Sequence, residues 1–446
     1  MNIVLLNTYS IFGGAARACY RLHQGFRSEG HESELLVRHH HGATLDGVQI
    51  CGGSRKRKLA QHDFIVSRIR GAAIVDPEST YFSPLSPNII VGRNKVLAQA
   101  DAINIHWVAD FLSPRDLRGL LNLAKPVVWT LHDARAFTGG CHYPGDCREF
   151  QHNCEACPQL QKPFQFLAST GLRITSGIFG KSATPAFVTP SAWLARLAVS
   201  SPFLANARIE VIPNSLDLDV YKPSPTAFVP RNKFVVLFGA HSIKDRRKGV
   251  DLVLEAINHC LRQRDISEMI QDERLVFACF GEAQAIKDAK ELPIHMLGSF
   301  SDDESAARIY RDADVFICPS REDNLPNTVM EAMACGVAVL GTKVGGIPDM
   351  VEDGLTGRLV PSGDAVALAD ALLDLIRNKD KARSMGAAGR EKSERLYAPS
   401  RQVESYLRLF EDLSAQSVAK SARITLRDKL HLPFAERRAR KELQRV

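Results

Sequence analysis

Short apolar runs rich in β-branched and aromatic residues alternate with segments of helical periodicity along most of this chain, and the series occurs twice. Runs of four to eight such residues between turn signals suit strands buried on both faces, and strand–helix alternation makes parallel sheets. In the first half the predicted strands are Ile3–Asn7, Glu34–Val37, Ala102–Trp107, Val127–Leu131, Phe187–Thr189 and Glu210–Ile212, with helices clearest at Ala15–Glu29 and Pro114–Leu123. In the second half they are Phe234–Gly239, Leu275–Gly281, His295–Leu297, Val315–Cys318 and Val337–Gly341, with helices at Val250–Leu261, Asp303–Asp312, Thr328–Cys335 and Ala365–Asn378. The expected fold class is α/β, with two doubly wound, Rossmann-like domains facing a central cleft. The expected divisions are a first, acceptor-side domain over 1–212, a proline-rich linker over 213–230, a second, donor-side domain over 231–400, and a terminal helix with a basic tail over 401–446 that crosses back to the first domain.

A chain of 446 residues, 45% hydrophobic and 24% charged, holds enough apolar surface for two cores. No run of eighteen uncharged apolar residues occurs, so no transmembrane helix is expected. The start, Met1 to Asn7, reads as a strand leading to Gly13-Gly14 and not as an export signal, so a cytoplasmic protein is expected. Ten cysteines in that compartment are expected to be reduced, buried or metal-bound. The net charge of +7 is concentrated: nine Lys or Arg lie between Ser417 and Val446 against Asp428, Glu436 and Glu442, and a second cluster runs Arg55-Lys-Arg-Lys58. Such segments suit either a solvated helix face or peripheral contact with an anionic membrane, at the inner face of the cytoplasmic membrane. Without interleaved aromatics or a nucleic-acid module, no nucleic-acid partner is expected.

The stretch PSREDNLPNTVMEAMACG, Pro319 to Gly336, is a strand end, a turn and a helix start in one phrase. Asn327 is the expected helix cap and Gly336 the expected stop. Unpaired amides at a helix start, together with the helix dipole, favour an anion there. Glu331 follows one turn later on the face of Asn327, and Asp323 precedes it by eight residues. This pattern resembles the E-x7-E signature of the retaining glycosyltransferases of family 4, which have the GT-B fold. The resemblance covers most of Met1 to about Ser400 and is weakest over 39–94. It implies that Glu331 binds the ribose of a nucleotide sugar and that the backbone after Asp323 binds its sugar and diphosphate. Asp323 replaces the usual first Glu, and Asn324-Leu325-Pro326 replaces the usual Gly-Phe-Gly, ahead of Asn327 and Thr328.

Three further segments fall at expected strand ends, where doubly wound sheets bind ligands. Gly13-Gly14 permits close backbone approach, or a plain turn, and the resemblance puts it on the cleft wall. Lys244-Asp-Arg-Arg-Lys-Gly249 matches the place where the family holds the donor diphosphate with Arg and Lys. Arg247 and Lys248 are the choices, with Lys244 and Arg246 as alternatives for the arginine; their charge would neutralise the leaving group in place of a metal. Thr130-Leu-His-Asp133 ends a strand, so His132 and Asp133 are expected beside the donor sugar, with His106 on the neighbouring strand end.

Cys141, Cys147, Cys154 and Cys157 crowd the insert 139–158, ending in Cys-x-x-Cys. Clustered thiols suit a structural zinc, with His142 and His152 as substitutes, or remain free and partly buried. A similar Cys-rich insert is familiar from the colanic-acid and exopolysaccharide branch of family 4. The expected protein therefore moves a hexose from a UDP- or GDP-sugar to a glycan or lipid-linked oligosaccharide acceptor with retention, needing no catalytic cofactor. Catalysis would fall to His132, Arg247, Lys248 and Glu331. A nucleotide-sugar epimerase of the same fold and a non-catalytic partner subunit are the rival readings.

Overall fold

A computed structural model describes residues 1–40, 42, 44–51, 56–76, 81–85, 94–179, 185–224, 232–240, 245–281, 292–300 and 302–416. The basic tail from Ser417 onward and Lys244 lie outside the described residues.

Two all-parallel sheets carry the structure. The first comprises β1 (Asn2–Tyr9), β2 (Glu32–His39), β3 (Val48–Ile50), β4 (Ala102–Ile105), β5 (Val127–Thr130), β6 (Ala186–Thr189) and β7 (Ile209–Val211), in the order β3-β2-β1-β4-β5-β6-β7. The second comprises β8 (Phe234–Gly239), β9 (Leu275–Phe280), β10 (Ile294–Gly298), β11 (Val315–Cys318), β12 (Ala338–Thr342) and β13 (Gly357–Val360), in the order β10-β9-β8-β11-β12-β13. The strand order reverses beside β1 in one sheet and beside β8 in the other. Ligands bind beyond the carboxyl ends at such points.

The central strands are buried on both faces, which explains their unbroken apolar sequence. On one side of the first sheet Val4, Ile103 and Trp129 pack in a large cluster. On the other, Ile3, Leu5 and Phe26 meet Tyr406 and Phe410 of the helix 399–416. That last helix thus returns to the first sheet, where the Tyr406 and Thr130 hydroxyls bond at 2.8 Å. Burying rings this large stabilises the return by about 1.5–3 kcal/mol each. The two segments that pass between the sheets are themselves joined, since the amide of Leu216 donates to the carbonyl of Tyr397 at 2.9 Å.

Local chemistry sets the helix starts. Ser113 and Asp116 form a reciprocal capping box around Pro114, as their spacing dictates. One expectation fails: Asn327 is not the cap of its helix. Pro326 occupies that place, the helix runs Asn327–Ala334, and the Asn327 side chain instead donates to the carbonyl of Gly14 at 3.1 Å. Pro326 brings a fixed φ of −64° and no side chain able to cap, so the first amides of the helix stay open while the Val329 amide bonds the Pro326 carbonyl at 3.0 Å.

Candidate active site

A cavity of about 710 Å³ opens between the carboxyl ends of the two sheets. Gly13, Gly14, His132, Asp133, Arg247, Lys248, Asp323, Asn324, Leu325, Pro326, Asn327 and Thr328 all line it. His106 and Glu331 do not.

Two helix starts face this cavity. Gly13, at φ 88°, ends the β1 loop without a side-chain cap, so the helix Gly14–Ser28 presents free amides, as does the helix Asn327–Ala334 opposite. Both dipoles favour an anion between them. Beside them Lys248 Nζ lies 2.6 Å from Asp323 Oδ2, and Arg247 lies 3.4 Å from the same oxygen. Burial alone would raise the Asp323 carboxyl, but Lys248 and Arg247 hold it below its usual range. The Arg247 guanidinium also pairs with Asp245 at 2.8 Å, donates to the Glu322 carbonyl at 2.9 Å and lies 4.1 Å from the Tyr143 ring centre. These partners fix its direction, so two cations are held ready at the mouth of an anion site. Arg246, the alternative, is two-thirds exposed and faces Asp76.

The turn bearing Asp323 sits on a pair of glycines that the sequence reading passed over. A Cβ on Gly345 would lie 1.7 Å from the Asp323 carbonyl, and one on Gly346 would lie 1.8 Å from that of Asn324. Their signal was a Gly-Gly pair just after a strand, the same as Gly13-Gly14. The Asn324 side chain reaches across the cleft, accepting from Ser191 Oγ at 2.5 Å and donating to the His132 carbonyl at 3.0 Å.

A buried chain of polar groups sets the state of His132. The Asn104 amide nitrogen faces the Val128 carbonyl at 3.2 Å, and a carbonyl only accepts. Asn104 Oδ1 must then accept from His106 Nε2 (2.7 Å), leaving His106 Nδ1 as acceptor for the N–H of His132 Nε2 (2.9 Å). Burial keeps both rings neutral, pushing His106 well down and His132 down to about 4, against the opposing charge of Asp133. His132 Nδ1 is left with a lone pair, so this ring accepts a hydrogen bond and supplies no proton. Asp133 serves its neighbours: it caps the turn at Arg135 (2.9 Å) and accepts from the Trp107 indole (2.7 Å) and His142 (2.6 Å). His106 lies behind His132, off the cavity, and is joined to it by the hydrogen bond between their rings.

Glu331 is 5% exposed beneath the cavity floor. Arg21 donates to its Oε1 at 3.2 Å and the Tyr310 hydroxyl to its Oε2 at 3.1 Å. Arg21 also reaches Asp303 at 3.1 Å and comes from the first domain's leading helix, so the pair bridges the two domains. No sequence signal marked Arg21, because its partner lies 310 positions away.

The Cys-rich insert touches the second domain through Tyr143 and through Gly145, whose amide donates to Glu322 at 3.0 Å. Burial raises the Glu322 carboxyl from 4.5 to about 7. A carboxyl raised on folding binds its proton more tightly when folded, so it favours the fold below about pH 4.5, and that advantage fades as pH climbs to about 7. Chemical denaturation of Glu322→Gln over this range is expected to show a flatter fall in stability than the native chain; an unchanged profile would reject it. Cys141, Cys154 and Cys157 are buried and Cys147 partly so, with burial pushing Cys154 up to about 12. Among the described residues no three His, Cys, Asp or Glu side chains converge to hold a metal ion.

The chain matches the family model described as Glycosyltransferase Family 4 over residues 12–220 and that described as Glycosyl transferases group 1 over residues 232–378. It is 28% identical over 242 residues to the alpha-maltose-1-phosphate synthase of Mycolicibacterium smegmatis, spanning 48% of this chain and 59% of that one. It is 31% identical over 209 residues to the phosphatidyl-myo-inositol mannosyltransferase of Mycobacterium leprae, spanning 46% and 53%. The chain thus spans little more than half the length of these curated relatives. Among solved structures, the sucrose-phosphate synthase of Thermosynechococcus elongatus superposes with a TM-score of 0.62 at 18% identity, covering 93% of this chain and all of that one. Anabaena HepE in complex with UDP-glucose gives 0.60 at 16% identity, covering 93% and 100%. These likenesses show the fold.

Proposed function

Because the chain belongs to glycosyltransferase family 4 and has the GT-B fold, we propose that it moves a hexose from a UDP- or GDP-sugar to a glycan acceptor with retention at the anomeric carbon. The observation that carries this reading is the anion site between two helix starts, flanked by Arg247 and Lys248 on Asp323. Charge grows on the diphosphate as the glycosidic bond breaks, and fixed cations and amides stabilise that charge more than the ground state. His132 Nδ1, as an acceptor, would orient a sugar hydroxyl, and the acceptor hydroxyl would attack from the leaving group's face. Glu331 would meet the ribose once Arg21 yields. A nucleotide sugar is supported by the structural likeness to Anabaena HepE, which was solved in complex with UDP-glucose.

Thermal shift with a panel of UDP- and GDP-sugars tests the reading, because a ligand of the folded state alone raises Tm. A donor that stabilises the chain, and whose sugar is slowly released as free hexose without acceptor, is the expected result. Stabilisation with an altered sugar and no release favours an epimerase, and no response at all rejects the reading.

A lipid-linked oligosaccharide of surface-polysaccharide synthesis is the proposed acceptor, supported by the phosphatidyl-inositol mannosyltransferase among the relatives. No helix of the described residues is long and apolar enough to cross a membrane, so Arg437, Arg438, Arg440, Lys441 and Arg445 would make a salt-sensitive peripheral contact. If truncation after Gln416 leaves sedimentation with anionic vesicles unchanged, that contact lies elsewhere.

A structural zinc on Cys141, Cys147, Cys154 and Cys157 is proposed as well. Each of these thiols lies within electrostatic reach of the others, and backbone amides of Gln159 and Leu160 face the Cys157 sulfur. Closing the site would require the thiols to draw together. Elemental analysis is expected to find about one zinc per chain; no metal and four freely alkylated thiols would end the proposal.

A further inference from the structure

The first-domain side of the cavity carries a row of aromatic rings that the donor chemistry leaves unused. Tyr9, Phe12, Tyr81 and Trp107 all line the cavity. Trp107 is stacked on Tyr9 at 6.2 Å and tilted against Tyr81 at 5.8 Å, and Phe12 lies against Tyr9 at 5.7 Å. The inner rings are fixed by polar neighbours. The Trp107 indole donates to Asp133 at 2.7 Å, and the Arg70 guanidinium lies 4.9 Å from the centre of Tyr81. Two of the four are also open to water: Phe12 is 57% exposed, and Tyr81, though held by Arg70, is 43% exposed. Large apolar groups held rigid, yet left to water inside a cavity, are where a ligand recovers the cost of hydration.

We infer that this wall is the acceptor subsite and that it takes the apolar face of a neutral pyranose ring. The inference rests on the transferase reading and names the acceptor group that reading left open. Two observations select a sugar over a phosphate. The charges around the wall cancel, since Arg38, Arg70 and Arg135 are opposed by Asp63, Asp110 and Asp133. A phosphate needs an excess of cations, and Arg247 and Lys248 line the same cavity from the second domain. The C–H face of a pyranose needs the flat face of a ring open to water, and Phe12 and Tyr81 each offer one against the Tyr9–Trp107 backing. Any lipid-linked phosphate of the acceptor therefore lies beyond the wall, and the sugar next to the reacting hydroxyl stacks on it. Phe12 stands two residues before Gly14, so the ring at the wall's edge and the amides of the first helix start belong to one loop.

The test uses the full chain, saturated with whichever of UDP or GDP binds, and methyl glycosides of glucose, galactose and mannose as probes. Saturation-transfer NMR reports contact, and titration gives affinity. At least one glycoside is expected to bind, with Phe12→Ala and Tyr81→Ala each weakening it about tenfold by loss of a stacked ring. Phe12→Tyr and Tyr81→Phe keep a ring and are expected to bind as the native chain does, which loss of fold or charge would not explain. Nucleotide affinity is expected to be equal in all four variants. Binding of no glycoside, or binding indifferent to both alanine variants, overturns the subsite. If neither nucleotide binds the native chain, the transferase reading fails, and the same titrations on the unloaded protein still judge the wall.

Discussion

Lys248→Ala is expected to lower turnover roughly 100- to 1,000-fold with an authentic donor and acceptor, the usual cost of losing one group aimed at charge that develops in the transition state. Lys248 is 26% exposed at the cavity and 2.6 Å from Asp323. Its ammonium is thus anchored at one side and open at the other. Nucleotide affinity should fall far less than turnover, because the helix-start amides and Arg247 still hold the ground-state diphosphate. Steady-state kinetics beside calorimetric titration of the nucleotide separates the two. A variant that loses affinity and keeps native turnover would show that Lys248 merely binds. Arg247→Ala is a poorer probe, since it also frees Asp245, Asp323 and Tyr143.

Glu331→Ala carries the second large effect, on stability as much as on activity. Arg21 and Glu331 have side-chain exposures of 8% and 6%. Removing one partner of such a pair leaves the other charged, buried and partly unmatched, at a cost of about 3–5 kcal/mol. Asp303 still faces Arg21 from 3.1 Å and keeps the cost toward the lower figure. Urea unfolding should therefore show a clearly lower midpoint, and Arg21→Leu with Glu331→Leu together should cost less than the two single changes summed. Additive effects would mean that the pair contributes no coupling. Lost activity in Glu331→Ala is consequently no measure of ribose binding by itself. Glu331→Gln, which keeps the shape and an acceptor oxygen, is the better comparison.

The pattern of apolar runs was enough to recover every central strand, because a strand buried on both faces has to be apolar throughout. The edge strands Val48–Ile50 and Gly357–Val360 were missed for the converse reason. Val48–Ile50 is largely exposed, and Gly357–Val360 opens on a glycine and an arginine. Site residues were legible where a strand end, a turn and a helix start stand together in sequence, as at Thr130–Asp133 and Asp323–Thr328. Partners assembled across the cleft were not. Arg21, Tyr143 and Ser191 become visible only when their second-domain contacts are known. Asn104 escaped notice because a buried asparagine within an apolar strand has no spacing rule to announce it. The role of His106 followed only from the direction of each hydrogen bond.

The bond between Leu216 and Tyr397 has a mechanical consequence. At Leu216 and Tyr397 the outgoing and returning passages lie side by side, joined as one strap and not set apart as two pins. A twist about the Leu216–Tyr397 bond leaves it intact, whereas sliding one half along the other would break it. The closing motion available to the cleft is therefore a swing about one fixed edge, with Asn324 and Arg21 as the catches that meet from opposite leaves. One backbone cut in either passage would leave the halves tethered by the other, so a nicked chain should still elute as one particle until it is denatured.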